Sequence, residues 1–279
     1  MPVMVLTRLG GMAAATHPVP AASVTVLVSV LVAARGAGAS TVAWALASTA
    51  VGQASVGWSN DYLDRLEDAR VGRRDKPVVA GSISASTLAR AGPVAFAASV
   101  GLSAPLGVPE AVVMGIAVAS AWAYNLWLKR TAASWVPYAV SFGLVPAYAW
   151  LATEAVPPAW LVGVAALLGV AAHLTNVLPD LEADRALRRR GLPHRLGPRA
   201  SLFSACGLLV TALAVALVGS GASRSVTREV WLAALAALLL IVAVFVSVRR
   251  GSPRAGFYLT IAAAAAIAAV VILSFRQGE

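Results

Sequence analysis

Apolar residues run in long unbroken stretches along this chain, without the in-out alternation of a half-buried strand, and short polar segments separate them. A helix crossing a bilayer needs about 20 apolar residues, with about 17 to 25 serving. Nine stretches meet or approach this requirement: residues 18–34, 40–60, 87–107, 110–127, 135–153, 158–178, 200–219, 229–248 and 256–275. Helix breakers fall between them, at Gly36 and Gly38, Pro109, Pro157 and Pro158, Gly219 and Gly221, and Gly251 with Pro253, where punctuation belongs. The pattern predicts an all-α integral membrane protein with nine transmembrane helices, one domain over residues 1–279. The missing alternation argues against a transmembrane β-barrel. Arg8 ahead of an apolar run and Ala37-Gly38-Ala39 imitate a secretory signal. The run from Val19 to Ala34 exceeds the usual signal core and more membrane follows it, so an uncleaved first helix is expected.

Composition sharpens this picture. Hydrophobic residues make up 59% of the chain and charged residues 12%, against about 25% charged in soluble domains. A net charge of +10 raises the question of nucleic acid. In a membrane protein, however, basic residues mainly set orientation, and no long basic face exists here to track a phosphate backbone. With the N-terminus in the cytoplasm, the outward segments hold only Arg35, Arg224, Arg228 and Arg276 of the 22 Lys and Arg. Arg90 opens the third helix, and the others, from Arg8 through Arg65 to Lys76, Lys129, Arg130, Arg185 to Arg199 and Arg249 to Arg254, gather on the cytoplasmic side. This bias orients the chain and places the C-terminus outside. Cys206 lies in an apolar run and has no second cysteine to pair with, so it reads as a small core residue.

The acids change the picture further. Every aspartate of the chain, Asp61, Asp64, Asp68, Asp75, Asp180 and Asp184, falls in two cytoplasmic segments, Asn60 to Gly81 and Asn176 to Gly197. Orientation does not explain this, since acids contribute little to it. Sliding one segment over the other without a gap superposes Asn60 on Asn176, Asp64 on Asp180, Asp68 on Asp184, Arg73 on Arg189, Arg74 on Arg190, Pro77 on Pro193 and Gly81 on Gly197. Asp61 has no counterpart, because position 177 is Val.

On a helix, residues four apart share a face, so Asn60, Asp64 and Asp68 form one stripe of oxygen ligands and Asn176, Asp180 and Asp184 another. Oxygen-only stripes suit hard cations such as Mg²⁺, which binds through one or two carboxylates together with phosphate oxygens and water. Zinc is disfavoured without a Cys/His cluster. Carboxylates alone repel a polyanion, whereas bound cations and the neighbouring Arg73, Arg74, Lys76, Arg189 and Arg190 reverse the local sign. The constellation reads as a diphosphate site bridged by magnesium. The plainer alternative, two solvated loops with acids before bases, is disfavoured by the matched register.

The segments NDYLDRLED and NVLPDLEAD, followed by RRDKPVVAG and GLPHRLG, resemble the two aspartate-rich motifs of the UbiA superfamily of intramembrane prenyltransferases. The resemblance covers nearly the whole chain. It implies nine transmembrane helices around a central cavity, the motifs following helices 2 and 6. It also implies that Asn60, Asp61, Asp64, Asp68, Asn176, Asp180 and Asp184 bind the Mg²⁺ ions that hold an isoprenyl diphosphate. The family's second motif often has Asp where Asn176 stands. A further family-like element is Tyr124-Asn125-Leu126-Trp127-Leu128-Lys129-Arg130. By resemblance, Tyr124 and Lys129 serve diphosphate binding and ionisation; the plainer reading makes Tyr124 and Trp127 interface anchors and Lys129 and Arg130 a positive-inside flank, and it holds for Trp127 and Arg130. Many members carry Arg before the first helix. This chain has Thr16-His17-Pro18, leaving His17 or Arg8 as the substitute. His173, one turn before Asn176, is expected to face the cavity, and His194 to lie in a loop.

The function implied is Mg²⁺-dependent transfer of an isoprenyl group from a prenyl diphosphate to a hydrophobic or aromatic acceptor in the membrane. Asp64, Asp180, Tyr124 and Lys129 would be its catalytic residues. Magnesium and the cationic side chains would stabilise the leaving diphosphate. Ring faces at Trp58, Tyr62, Trp122 or Tyr124 would steady the allylic cation by about 0.5 to 2 kcal/mol each. A terpene cyclase of the same superfamily would ionise the same donor without an acceptor. A transporter would place its acids near the midplane rather than at one surface.

Overall fold

The structure is a computed structural model that describes residues 9–186, 189–220 and 227–275. Besides a helical segment over residues 9–14, the described residues hold ten α-helices and no strand: α1 (Pro18–Ala34), α2 (Ala39–Arg70), α3 (Ala85–Ser103), α4 (Val108–Leu126), α5 (Val136–Leu151), α6 (Ala159–Val177), α7 (Leu181–Ala186), α8 (Leu192–Gly219), α9 (Arg228–Arg249) and α10 (Pro253–Phe275). Among the described residues a helix covers each of the nine apolar stretches. Four helical segments, Ala159–Asp180, Leu192–Gly219, Arg228–Arg249 and Pro253–Phe275, are long and apolar enough by themselves to span a bilayer. That makes the chain an integral, multi-pass membrane protein. Pro18–Ala34 and Val136–Leu151 are apolar but short. Arg8, Arg185's side chain, Arg188, Arg224, Arg276 and Glu279 lie outside what is described.

Two compact units are distinguished. The first comprises the chain up to Trp127 together with Tyr148–Ala155, and the second Leu128–Ala147 with Val156–Glu279. In the first, α2 is the axis, packed on α1, α3 and α4. Its buried positions Ala45, Ser48, Gly52, Ser55 and Ser59 are small, which lets neighbouring backbones approach and places hydroxyls between helices. Ser55 Oγ donates to the Gly92 carbonyl (2.9 Å) and accepts from Trp122 Nε1 (3.0 Å). Ser48 Oγ and Ser103 Oγ both bond the Tyr148 hydroxyl, at 2.7 and 3.0 Å. Such interhelical bonds contribute about 0.6 kcal/mol each on average. The start of α3 is set by Ser84, whose Oγ accepts from the Thr87 N–H at 3.2 Å, a normal N-cap.

In the second unit α6 packs on α8 and α10, and α9 on α8 and α10. Leu168, Ala171 and Leu174 of α6, Leu209 and Ala212 of α8 and Ile267 of α10 are in its core. Gly169 allows close approach of α5, since a Cβ there would meet the Tyr138 carbonyl at 2.5 Å. α8 begins earlier than its apolar run because a turn over Leu192–Leu196 precedes a break at Gly197 (φ 78, ψ 170).

Candidate functional site

The first acidic segment is a continuation of α2 rather than a loop beyond it. Asp61, Asp64 and Asp68 are 2%, 5% and 3% exposed, and Asn60 is half-buried. Asp61 Oδ1 accepts from Lys76 Nζ (2.8 Å) and from His17 Nε2 (3.0 Å), and the two donors are 3.3 Å apart. His17 arrives there by a strained turn: its backbone is left-handed (φ 54, ψ 68) at the N-cap of α1, where its side chain makes no cap bond. A left-handed conformation costs a non-glycine residue about 1–2 kcal/mol. The strand of chain before it is seated on α2. Trp58 Nε1 donates to the Met12 carbonyl at 3.0 Å, and a Cβ on Gly57 would lie 2.5 Å from the Ala15 carbonyl. Ala15, Ile83 and Leu88 form the small apolar cluster under this strap, with Met12, Trp58, Tyr62 and Val78 around it.

The charges within the cluster are unequal. Burial pushes the Asp68 carboxyl up; Lys76 works against this, the Asp64 charge adds to it, and the result is a raised pKa. Burial acts in the same direction on Asp61, yet the His17 hydrogen bond and the Lys76 charge outweigh it and hold that carboxyl below its ordinary value. The hydrogen-bonded cation is thus on Asp61, while Asp68 feels Lys76 through its charge and has Arg73 Nη1 at 4.0 Å. Asp68 Oδ2 is buried without a hydrogen-bond partner, as is Asp61 Oδ2. Arg73 also reaches the exposed Asp75 at 3.6 Å, and Arg74 points to solvent.

The second segment does not continue as one helix. Asn176 ends α6, Asp180 lies in a 3₁₀ turn (Leu178–Asp180), and Asp184 lies in the short α7. Pro179 accounts for the break, because proline lacks an N–H and clashes with the preceding turn. Asn176 Nδ2 is 3.4 Å from the Tyr138 hydroxyl. Asp184 is clamped on both oxygens, Oδ1 by Arg189 Nη1 at 3.1 Å and Oδ2 by His194 Nε2 at 3.0 Å. His194, expected in a loop, instead sits in the first turn of α8. Arg190 is exposed.

Lys129 is 5% exposed and lies in a 3₁₀ turn, Leu128–Arg130. This turn packs against Gly191, where an added Cβ would meet the Lys129 carbonyl at 2.8 Å. Ser134, which the sequence did not single out, closes the arrangement. Its Oγ accepts from the Leu192 N–H (2.8 Å) and lies 2.9 Å from His173 Nε2. His173 is 1% exposed and tilts against the Tyr138 ring at 4.7 Å, so it binds protein groups at both its nitrogen and its ring face. Asn125 was missed too. Its Nδ2 donates to the Val56 carbonyl (2.9 Å) and Ser59 Oγ (2.8 Å), tying the end of α4 beside Tyr124 to α2 just ahead of Asn60. The available signal was its rarity: Asn60, Asn125 and Asn176 are the only asparagines in the chain. Of the aromatic candidates, Trp58 and Trp122 spend their N–H groups on structural bonds, Trp122 lies 5.9 Å from Phe96, and Tyr62 is covered by Arg65 at 4.2 Å.

Among the described residues no group of three or more His, Cys, Asp and Glu side chains stands ready to enclose a metal. The donor set nevertheless fits Mg²⁺: it is oxygen-only, and Asp68 offers a buried, unpartnered carboxylate oxygen whose raised pKa a cation would relieve.

The sequence profile of the UbiA prenyltransferase family matches residues 22–263, and the chain belongs to this family. A UbiA homolog from Aeropyrum pernix K1 in its apo form is similar in fold, with a TM-score of 0.72 at 16% identity over 91% of this chain and 96% of that one. A UbiA homolog from Archaeoglobus fulgidus bound to GPP and Mg²⁺ gives a TM-score of 0.70 at 16% identity over 94% and 99%. A structure described for digeranylgeranylglyceryl phosphate synthase in membranes gives 0.65 at 14% identity over 97% and 98%. No curated protein matches the chain in sequence.

Proposed function

We propose that this protein transfers an isoprenyl group from a prenyl diphosphate to a hydrophobic or aromatic acceptor within the membrane, as one prenyltransferase domain whose acidic segments face the cytoplasm. The carrying observation is that a UbiA family member repeats an acid-then-base segment, and that two backbone features recur after the acids in both copies. The Arg73 N–H donates to the Asp68 carbonyl at 3.0 Å and the Arg189 N–H to the Asp184 carbonyl at 3.1 Å. Gly81 and Gly197 follow with φ of 75° and 78°. The binding of GPP and Mg²⁺ by the Archaeoglobus homolog supports this reading.

In this reading the repeated oxygens of Asn60, Asp64, Asp68, Asn176, Asp180 and Asp184 hold Mg²⁺. The ions would neutralise the charge growing on the leaving diphosphate. Arg73, Arg74, Lys76, Lys129, Arg189 and Arg190 add donors for phosphate oxygens, and Tyr124 stands with Lys129 at ionisation. Loss of diphosphate leaves an allylic cation; attack by the acceptor forms the new bond and releases a proton. Apolar helix faces exclude the water that would quench the cation.

Purified protein in lipid nanodiscs with Mg²⁺ and a panel of prenyl diphosphates is expected to release diphosphate and give a prenylated product by mass spectrometry when quinone-type aromatic acids are supplied. Hydrocarbon products without any acceptor would identify a cyclase instead. No release with any donor, together with donor binding unchanged in Asp64→Ala and Asp180→Ala, would end the enzyme reading in favour of a transporter.

A further inference from the structure

We infer that Asp61 is not a magnesium ligand but a positioning residue, which together with His17 aims the Lys76 ammonium at the donor's diphosphate. This rests on the prenyl-diphosphate reading above and assigns a distinct task within it. Three observations carry it. First, Asp61 Oδ1 accepts from Lys76 at 2.8 Å and from His17 at 3.0 Å, so this carboxylate already orients the ammonium. Second, the molecule contains its own comparison. Asn60, Asp64 and Asp68 are all kept in the second segment, whereas Asp61 and Lys76 are lost together, to Val177 and Leu192. A residue that disappears with its ion-pair partner, while the oxygen stripe around it is retained, belongs with the partner and not with the stripe.

Third, the chain invests structure in this contact. The left-handed His17, the close approach of Ala15 to Gly57 and the Trp58 bond to Met12 all bring the strap to Asp61. Lys76 carries three N–H donors. With one on Asp61, and with His17 Nε2 donating to the same oxygen rather than accepting from the ammonium, two remain for phosphate oxygens. The His17 side chain is 40% exposed and the Lys76 side chain 11%, so the pair sits at the surface of the buried acidic cluster where an anion can arrive.

The competing role, a metal ion on the buried Asp61 Oδ2, predicts different behaviour. The test uses full-length protein in nanodiscs with two probes: Mn²⁺ followed by electron paramagnetic resonance, and inorganic diphosphate followed by calorimetry at saturating Mg²⁺. Asp61→Asn and Lys76→Met are expected to leave Mn²⁺ stoichiometry and midpoint within about twofold of the unaltered protein, and each to weaken diphosphate binding by about tenfold or more, as losing a charge-assisted contact does. The double variant should bind no worse than the weaker single variant, because the two residues act as one unit. Asp61→Val with Lys76→Leu copies the pair that the second segment already folds with, and guards against a folding artefact. Asp64→Asn provides the metal-ligand signature, loss of Mn²⁺.

The inference is overturned if Asp61→Asn loses Mn²⁺ as Asp64→Asn does, if its diphosphate affinity is unchanged, or if the unaltered protein binds no diphosphate. Failure of the prenyl-transfer reading looks different: diphosphate and Mn²⁺ bind as expected, but no prenyl diphosphate is turned over.

Discussion

The two acidic segments share a sequence register and differ in how the protein holds them. In the first, the oxygen stripe lies along one unbroken helix, and the tight clamp of a cation and a histidine falls on Asp61, outside the repeat. In the second, Pro179 breaks the helix, and a clamp of the same composition, Arg189 with His194, falls on Asp184, a member of the stripe itself. Two backbone features recur after each stripe, the arginine N–H bond and the glycine at positive φ. The repeat therefore conserves the Asn/Asp spacing and these two features, while the charge partners have diverged. The carboxylate pKa directions in the first segment are unequal because burial acts on both, but the His17 hydrogen bond and Lys76 outweigh it at Asp61, whereas at Asp68 Lys76 and Arg73 do not and the Asp64 charge adds to it.

The strongest way to break the comparison is to remove the middle aspartate of each stripe. Asp64→Asn and Asp180→Asn are each expected to lower turnover by about a thousandfold, the scale on which preorganised charge stabilisation is lost. Asp75→Asn, exposed and outside the repeat, should stay within about twofold. The comparison is measured by diphosphate release at saturating Mg²⁺. If only one of the two aspartates matters, the second segment is a relic of the repeat rather than a working half.

A smaller effect separates the clamps. Arg189 Nη1 is 3.1 Å from Asp184, and both side chains are mostly buried, whereas Arg73 is 4.0 Å from Asp68 and more exposed. Removing one partner of a buried pair strands a charge and costs about 3–5 kcal/mol; an exposed, loose pair contributes about 0–1 kcal/mol. Arg189→Ala is thus expected to lower the apparent melting temperature in detergent by several degrees more than Arg73→Ala. Equal shifts would show that Asp184 and Asp68 are held alike and that the difference in clamp has no energetic meaning.

These contrasts mark what the sequence carried. Helix positions were legible because each apolar run is long compared with its punctuation, and the first stripe because it lies on the unbroken α2. Pro179 was visible as a breaker, yet the expected stripe at 176, 180 and 184 ignored it; a proline outranks a spacing rule drawn for regular helix. The contacts of His17 and His194 were not legible. The first joins residues 44 apart in sequence through a left-handed turn that a His codon does not announce. The second needs α8 to begin at Leu192, several residues before its apolar run. Ser134, Asn125 and Tyr148 act by polar contacts between helices, and an apolar pattern is silent about which helices meet.

The smallest effect sharpens the comparison most. Gly81 and Gly197 have φ of 75° and 78°, and an added Cβ at either meets no atom within 4 Å. Substitution by Ala therefore tests backbone conformation alone, free of steric contact. Each Gly→Ala change should cost about 1 kcal/mol, the penalty for a left-handed L-residue, which is on the order of 2–4 °C in a chain of this size. Asn should bring no relief at Gly197, whose ψ of 170° lies in a region open essentially to glycine alone. Equal penalties at the two positions would mean that the turn after each stripe is one piece of design used twice. A larger penalty at Gly197, which is followed by Pro198 and the long α8, would mean instead that the second turn has taken on the added task of starting a membrane helix.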